Sequence, residues 1–236
     1  MSERAFLVTS ALLFIASAAG TIALCHSMSG GMAMPGGWTM SMAWMRMPAQ
    51  TWLSAAAMFM LMWVTMMVAM MLPSLAPILR HRQQRRWLAA AAYFFIWTLF
   101  GAAAYTAGIT LAAAEMRSSA LARSAPIATA AVLVLAGTVQ LTPWKARHLA
   151  CCRAIAMSAP PGLHAAWNDG IRLGIHCVLC CSGLIAVLLV LGVMNLAVML
   201  VVSAAITIER LAPRPTLVAR AIGVAVIAGG AIVAFV

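Results

Sequence analysis

Apolar runs of about twenty residues or more alternate with short polar stretches along the whole chain. Runs of that length cross the roughly 30 Å hydrocarbon core of a bilayer as helices. The pattern predicts helices over about 5–24, 52–79, 88–112, 125–143, 171–209 and 217–236. The stretch 171–209 has two readings. As one helix it would extend about 58 Å at 1.5 Å per residue, so it must tilt, break or protrude, and the chain then crosses six times. As a hairpin turning near Gly192–Asn195 it gives seven crossings and sets Arg210, Arg214 and Arg220 in the cytoplasm. The six-crossing reading is preferred, because the second arm is short and no clear polar turn divides the stretch.

The expected fold class is therefore an all-α polytopic transmembrane helical bundle of about six crossings. Residues 1–50 form an N-terminal membrane anchor and a Met-rich outer loop, and residues 51–236 form the helical membrane domain. A cleaved signal would share the charged start and apolar run. The run is long enough to span, however, and no convincing small-residue cleavage site follows it. Pro35, Gly36 and Gly37 rule out a continuous helix in the loop 25–50. Pro73 and Pro77 are expected to kink or end the second helix, because each removes a backbone donor.

Composition narrows the class further. The chain is 65% hydrophobic and 8% charged, against about 25% charged in soluble domains. Little remains for a soluble domain. The net charge of +11 arises from only fifteen Lys and Arg in short loops, which orients a membrane protein and excludes nucleic acid as a partner. Arg80, Arg82, Arg85 and Arg86 place the loop after the second helix in the cytoplasm. The amino terminus is then cytoplasmic as well, and the Met-rich loop lies outside. A multi-pass protein of a bacterial inner membrane is the expected setting.

Nineteen residues are methionine, seven of them between Met28 and Met47 and seven between Met58 and Met71. Thioethers fill cores well, and they also select Cu(I) over harder ions. Met58, Met62, Met66 and Met70 recur every four residues, so they form one helical stripe. That stripe is either ordinary packing or a soft path through the bundle. In the outer loop, His26 with Met28, Met32 and Met34 makes a mixed imidazole–thioether set of irregular spacing. The same loop also reads as an apolar lid on the bilayer.

The cysteines fall in two groups. His148 and Cys152 lie in "HLACC", and His176, Cys177, Cys180 and Cys181 lie in "HCVLCC". Both groups sit toward the cytoplasmic side, where thiols stay reduced. Spacings of three and four let Cys177, Cys180 and Cys181 face one side of a helix. Two such groups meeting across the bundle would bind Cu(I), Zn(II) or an iron–sulfur centre. The alternative is that small cysteines pack like alanine. A disulfide between Cys151 and Cys152 is not expected, because adjacent residues bridge only with strain. Glu209 is expected at a membrane boundary beside Arg210, Asn195 to hydrogen-bond between helices, and Asp169 to act as an acid near a helix start.

Four motifs in order, "MWVTMMVAMMLPSLAP", "QLTPWKARHLACCR", "GIRLGIHCVLCCSGL" and "GVMNLAVMLVVSAAITIERLAP", resemble the predicted metal-binding integral membrane proteins grouped as domain of unknown function 2182. The resemblance covers about residues 55–215 and implies a multi-helix membrane domain with metal binding, but no settled reaction. Its positions here are Met62, Trp63, Met66, Met70, Met71, Pro73, Lys145, Cys152, Gly174, Cys177, Cys180, Cys181, Met194, Asn195, Met199 and Glu209. His148 stands where the family carries a first cysteine, which puts an all-thiolate site in doubt. Ser182 stands where the family often shows tryptophan.

The leading functional reading is membrane copper handling: accepting, passing or delivering Cu(I) through Met and Cys/His sites, with a metallochaperone or a larger membrane complex as partner. A second reading is a structural or assembly subunit of such a complex. A third is a metal-dependent membrane oxidoreductase, which the few scattered histidines favour least. Nothing resembles a nucleophile–histidine–acid triad or a phosphate loop, and no energy-coupling motif for pumping is evident.

Overall fold

The computed structural model describes residues 3–28, 30–46, 50–80, 86–157 and 162–235, the side chains of 154–157 excepted. Eight α-helices are described: α1 (Glu3–Ser27), α2 (Trp52–Arg80), α3 (Arg86–Arg117), α4 (Ser119–Leu141), α5 (Pro143–Met157), α6 (Leu163–Gly192), α7 (Leu196–Leu211) and α8 (Pro215–Phe235). Six of them, all except α5 and α7, are long and apolar enough to cross a membrane. The protein is an all-α polytopic membrane bundle. Of these six, α2 and α6 have the largest share of buried residues, and α1 and α8 the smallest. The methionine stripe and the Cys177–Cys181 cluster thus lie on the two most buried spans.

The stretch 171–209 breaks at the place that the hairpin reading assigns to a turn. Gly192 adopts φ +113°, a left-handed conformation that favours glycine. Asn195 then caps α7, its side-chain oxygen accepting from the backbone N–H groups of Ala197 and Val198. This replaces the interhelical role expected for Asn195: the residue is exposed, and its amide serves its own helix. The returning helix α7 has 16 residues, about 24 Å of rise. That falls short of the roughly 30 Å core, which leaves six full-length spans. It nevertheless carries Arg210 back to the level of Cys177.

Neither proline ends α2, which runs unbroken through Pro73 and Pro77. Hydroxyls serve carbonyls of the turn before the first proline. Ser74 donates to the Met71 carbonyl at 3.0 Å, and Ser203 of α7 reaches the Met70 carbonyl at 3.5 Å. These hydroxyls add to the ladder beside Pro73, while the carbonyls whose N–H partners the prolines remove are those of Ala69 and Pro73.

The Met-rich loop folds as a small ribbon. Strands β1 (Gly31–Ala33) and β2 (Thr39–Ser41) pair antiparallel, and a short 3-10 turn, Met42–Trp44, follows. The Trp38 indole donates to the Ala122 carbonyl at 2.8 Å. Met34 and Met40 are buried with Ala112 and Ala122, and Trp44 packs on Phe59. The ribbon therefore covers the adjoining ends of α3 and α4.

Candidate metal centre

Close helix approach creates the centre. A Cβ on Gly170 would lie 2.4 Å from the Ala89 carbonyl oxygen, and one on Gly174 would lie 2.9 Å from the Ile96 Cβ. These two glycines let α6 press against α3. One turn further along α6, Cys177 meets Tyr93 of α3, with the hydroxyl 3.0 Å from the sulfur.

On another side α6 meets α5, and two side-chain contacts join them. His148 Nδ1 lies 3.2 Å from His176 Nδ1, and Cys152 Sγ lies 3.8 Å from Cys180 Sγ. Each pair is separated by 28 positions in sequence. Imidazole therefore faces imidazole, and thiol faces thiol one helical turn on. Within α6, Cys180 Sγ is 3.6 Å from Cys181 Sγ, and Cys177 Sγ is 3.8 Å from Cys181 Sγ. The sulfurs of Cys177, Cys180 and Cys181 all lie within 4.8 Å of one another. All four of these thiols are buried and free.

The arrangement fits a soft metal ion. Sulfurs bound at about 2.3 Å to a common ion lie roughly 3.8–4.0 Å apart in tetrahedral or trigonal geometry. The observed spacings need only small shifts to reach it. Hydrogen bonding to Cys180 and burial raise the Cys152 thiol pKa, so an ion must displace a proton to be held there.

Three charged side chains, Lys145, Glu209 and Arg210, frame the thiols. Lys145 Nζ bonds Glu209 Oε2 at 2.7 Å and the Cys180 carbonyl at 2.5 Å, while the Gln140 amide donates to Glu209 Oε1 at 2.6 Å. Arg210 Nη1 reaches Ser74 Oγ at 2.9 Å, and Tyr93 Oη and Cys177 Sγ each at 3.4 Å. Its Nη2 has no hydrogen-bond partner among the described residues. Glu209 is therefore buried and paired with Lys145 rather than with Arg210. Adjacent helical residues point about 100° apart, so α7 sends Glu209 toward α4 and α5, and Arg210 toward α2, α3 and α6. Asp169, in turn, sits well inside α6 rather than at its start.

Of the residues singled out in the sequence, His148, Cys152, His176, Cys177, Cys180 and Cys181 come together. Met62, Met66 and Met70 are buried in the same contiguous core as the thiols, joined by Met67 and Met71. Met58 is half-buried. The outer set has no common environment: His26 and Met32 are exposed, Met28 is half-buried, and Met34 is buried under the ribbon. Sequence reasoning missed Tyr93, Gln140 and Arg210. The available signal was a glutamine and an arginine within otherwise apolar helical runs, where polar groups are costly and mark function.

These features define a class, a polytopic membrane protein that gathers soft ligands inside its helical bundle. Residues 60–233 match the PpoB2 copper-chaperone family, and the chain belongs to that metal-binding family. Its function lies in copper binding and handling. No curated protein and no solved structure matches the chain.

Proposed function

We propose that the protein accepts Cu(I) on the thiols of Cys152, Cys177, Cys180 and Cys181 and delivers it to a copper-handling partner. The observation that carries this reading is the convergence of three buried thiols within 4.8 Å of one another in a copper-chaperone family member. Thiolates favour soft ions, Cu(I) among them, and the copper-chaperone family match singles out copper. Arg210, beside Cys177, supplies positive charge against the thiolates that binding creates. Delivery or downhill passage is favoured over pumping, because the chain carries no energy-coupling motif. The resemblance to domain of unknown function 2182 is the same reading at finer grain, since its cysteine, lysine and glutamate positions are the ones gathered at the centre.

The protein sits in a bacterial inner membrane with its amino terminus in the cytoplasm, as the arginines around 80–86 favour. The thiol centre then exchanges with the cytoplasmic side. His26, Met28, Met32 and Met34 of the N-terminal unit, residues 1–50, make at most weak contacts with copper outside. Met58, Met62, Met66 and Met70 line the interior of the membrane domain, residues 51–236. The burial of Met62, Met66 and Met70 supports packing as their main role.

Metal analysis of the detergent-purified protein, loaded anaerobically with Cu(I) and then desalted, tests the reading. Wild type should retain copper, and Cys180→Ser and Cys177→Ser should lose most of it while remaining folded. Equal, negligible copper in all three would refute the proposal.

A further inference from the structure

Beside the thiols stands the His148–His176 pair, and its position differs from theirs in one respect. Both imidazoles are half-buried, whereas the Cys152–Cys180 contact one helical turn away is buried. The two contacts form successive rungs between α5 and α6, the outer one of nitrogen and the inner one of sulfur. Two imidazole nitrogens held at about 2.0–2.1 Å by one ion lie roughly 3.3 Å apart at a tetrahedral angle. The observed separation is 3.2 Å. Imidazole binds Cu(I) less tightly than thiolate does, since it is the harder ligand.

From this gradient of exposure and softness, and resting on the copper-handling reading above, we infer that His148 and His176 form a separate access site. Cu(I) passes through it on the way to the thiols and on the way out. The ion keeps its charge of +1 throughout. Two Cu–N bonds are exchanged for Cu–S bonds, and each thiol that becomes a ligand gives its proton to solvent. A weak outer rung followed by a stronger inner one lets the ion move inward step by step, and a site that must also release its ion needs a weak step of this kind. Loss of the imidazole pair therefore changes the rate of exchange and leaves the thiol-bound end state in place.

The test uses the full-length protein in detergent under anaerobic conditions, with Cu(I) supplied as its acetonitrile complex. Copper–thiolate absorbance in the near ultraviolet is followed by stopped flow. His148→Ala/His176→Ala should slow loading about tenfold or more, the scale on which loss of a metal-positioning group acts. Final absorbance and copper stoichiometry should match wild type. A second pair, His148→Met/His176→Met, restores soft ligands of other shape and should recover most of the loading rate. The inference is overturned if the alanine pair loads within twofold of wild type, or if it loses final copper while its thermal unfolding is unchanged. It is also overturned if the methionine pair is as slow as the alanine pair. Failure of wild type to take up copper at all would instead refute the copper-handling reading itself, and the inference with it.

Discussion

Lys145 and Glu209 form an ion pair of 2.7 Å with both side chains only 1% exposed. They join α5 to α7 across the floor of the thiol centre, and the Gln140 amide occupies the second carboxylate oxygen. Desolvating two charges is costly, and attraction offsets that cost only while both are present. Removing one partner strands the other in an apolar interior. Lys145→Met and Glu209→Gln should therefore each destabilise the protein by about 3–5 kcal/mol. The double replacement Lys145→Met/Glu209→Gln should cost clearly less than the sum of the two single changes. Thermal unfolding of the four proteins in one detergent measures this coupling. Additive effects would show that the pair does not act as a unit.

Arg210 is a second buried cation beside the thiols, and it is held by neutral groups. Its neighbours Ser74, Tyr93 and Cys177 carry no charge until a thiol is deprotonated. On the proposed function, a metal–thiolate complex would supply the anion that the arginine lacks. Arg210→Met should thus weaken copper retention while Arg210→Lys retains part of it, because lysine keeps the charge but loses the planar fork. Competition with a chelator of known Cu(I) affinity reads the difference. Identical affinities for wild type and Arg210→Met would remove the arginine from any role in holding the ion.

Gly170 and Gly174 test whether the packing of α6 on α3 sets up the centre. Alanine at Gly170 would place its methyl 2.4 Å from the Ala89 carbonyl oxygen, a backbone atom that cannot turn aside. Gly170→Ala should destabilise by about 1–3 kcal/mol, as overpacking does. It should also push Tyr93 away from Cys177. Gly229 has nothing within 4 Å of its would-be Cβ, so Gly229→Ala is the matched control. Thermal shifts of similar size for the two variants would contradict the packing argument.

Much of this arrangement was legible in the sequence, and the limits have physical causes. The spans could be read because runs of twenty apolar residues have few other uses in a chain so poor in charge. The shared face of Cys177, Cys180 and Cys181 could be read because spacings of three and four fix a helical face, whereas their meeting with His148 and Cys152 stood only as one of two alternatives. The destination of Glu209 could not be read. Local sequence offers Arg210 as its neighbour, whereas its partners Lys145 and Gln140 lie 64 and 69 positions away. The break at Gly192 was only half legible. Glycine and asparagine mark a turn, but their polarity is too slight to separate a hairpin from a bent helix. The methionine stripe was correctly placed on one helix, yet periodicity alone does not distinguish a dry core from a path.

The methionines allow the last distinction to be made by experiment. Met66 is fully buried in the same core as the thiols. Leucine has nearly the same volume but no sulfur, so Met66→Leu should cost less than about 1.5 kcal/mol. If Met66 is packing, copper bound at equilibrium will be unchanged, since the proposed holding ligands are the four thiols. If Met66 is a ligand, copper retention will fall although stability hardly moves. We expect the first result, because methionines 62, 66, 67, 70 and 71 all lie buried among apolar neighbours and thioethers bind Cu(I) less strongly than thiolates. Copper stoichiometry and the unfolding midpoint, taken on one preparation of Met66→Leu, decide between the two. Copper loss at an unchanged midpoint would make the stripe part of the route.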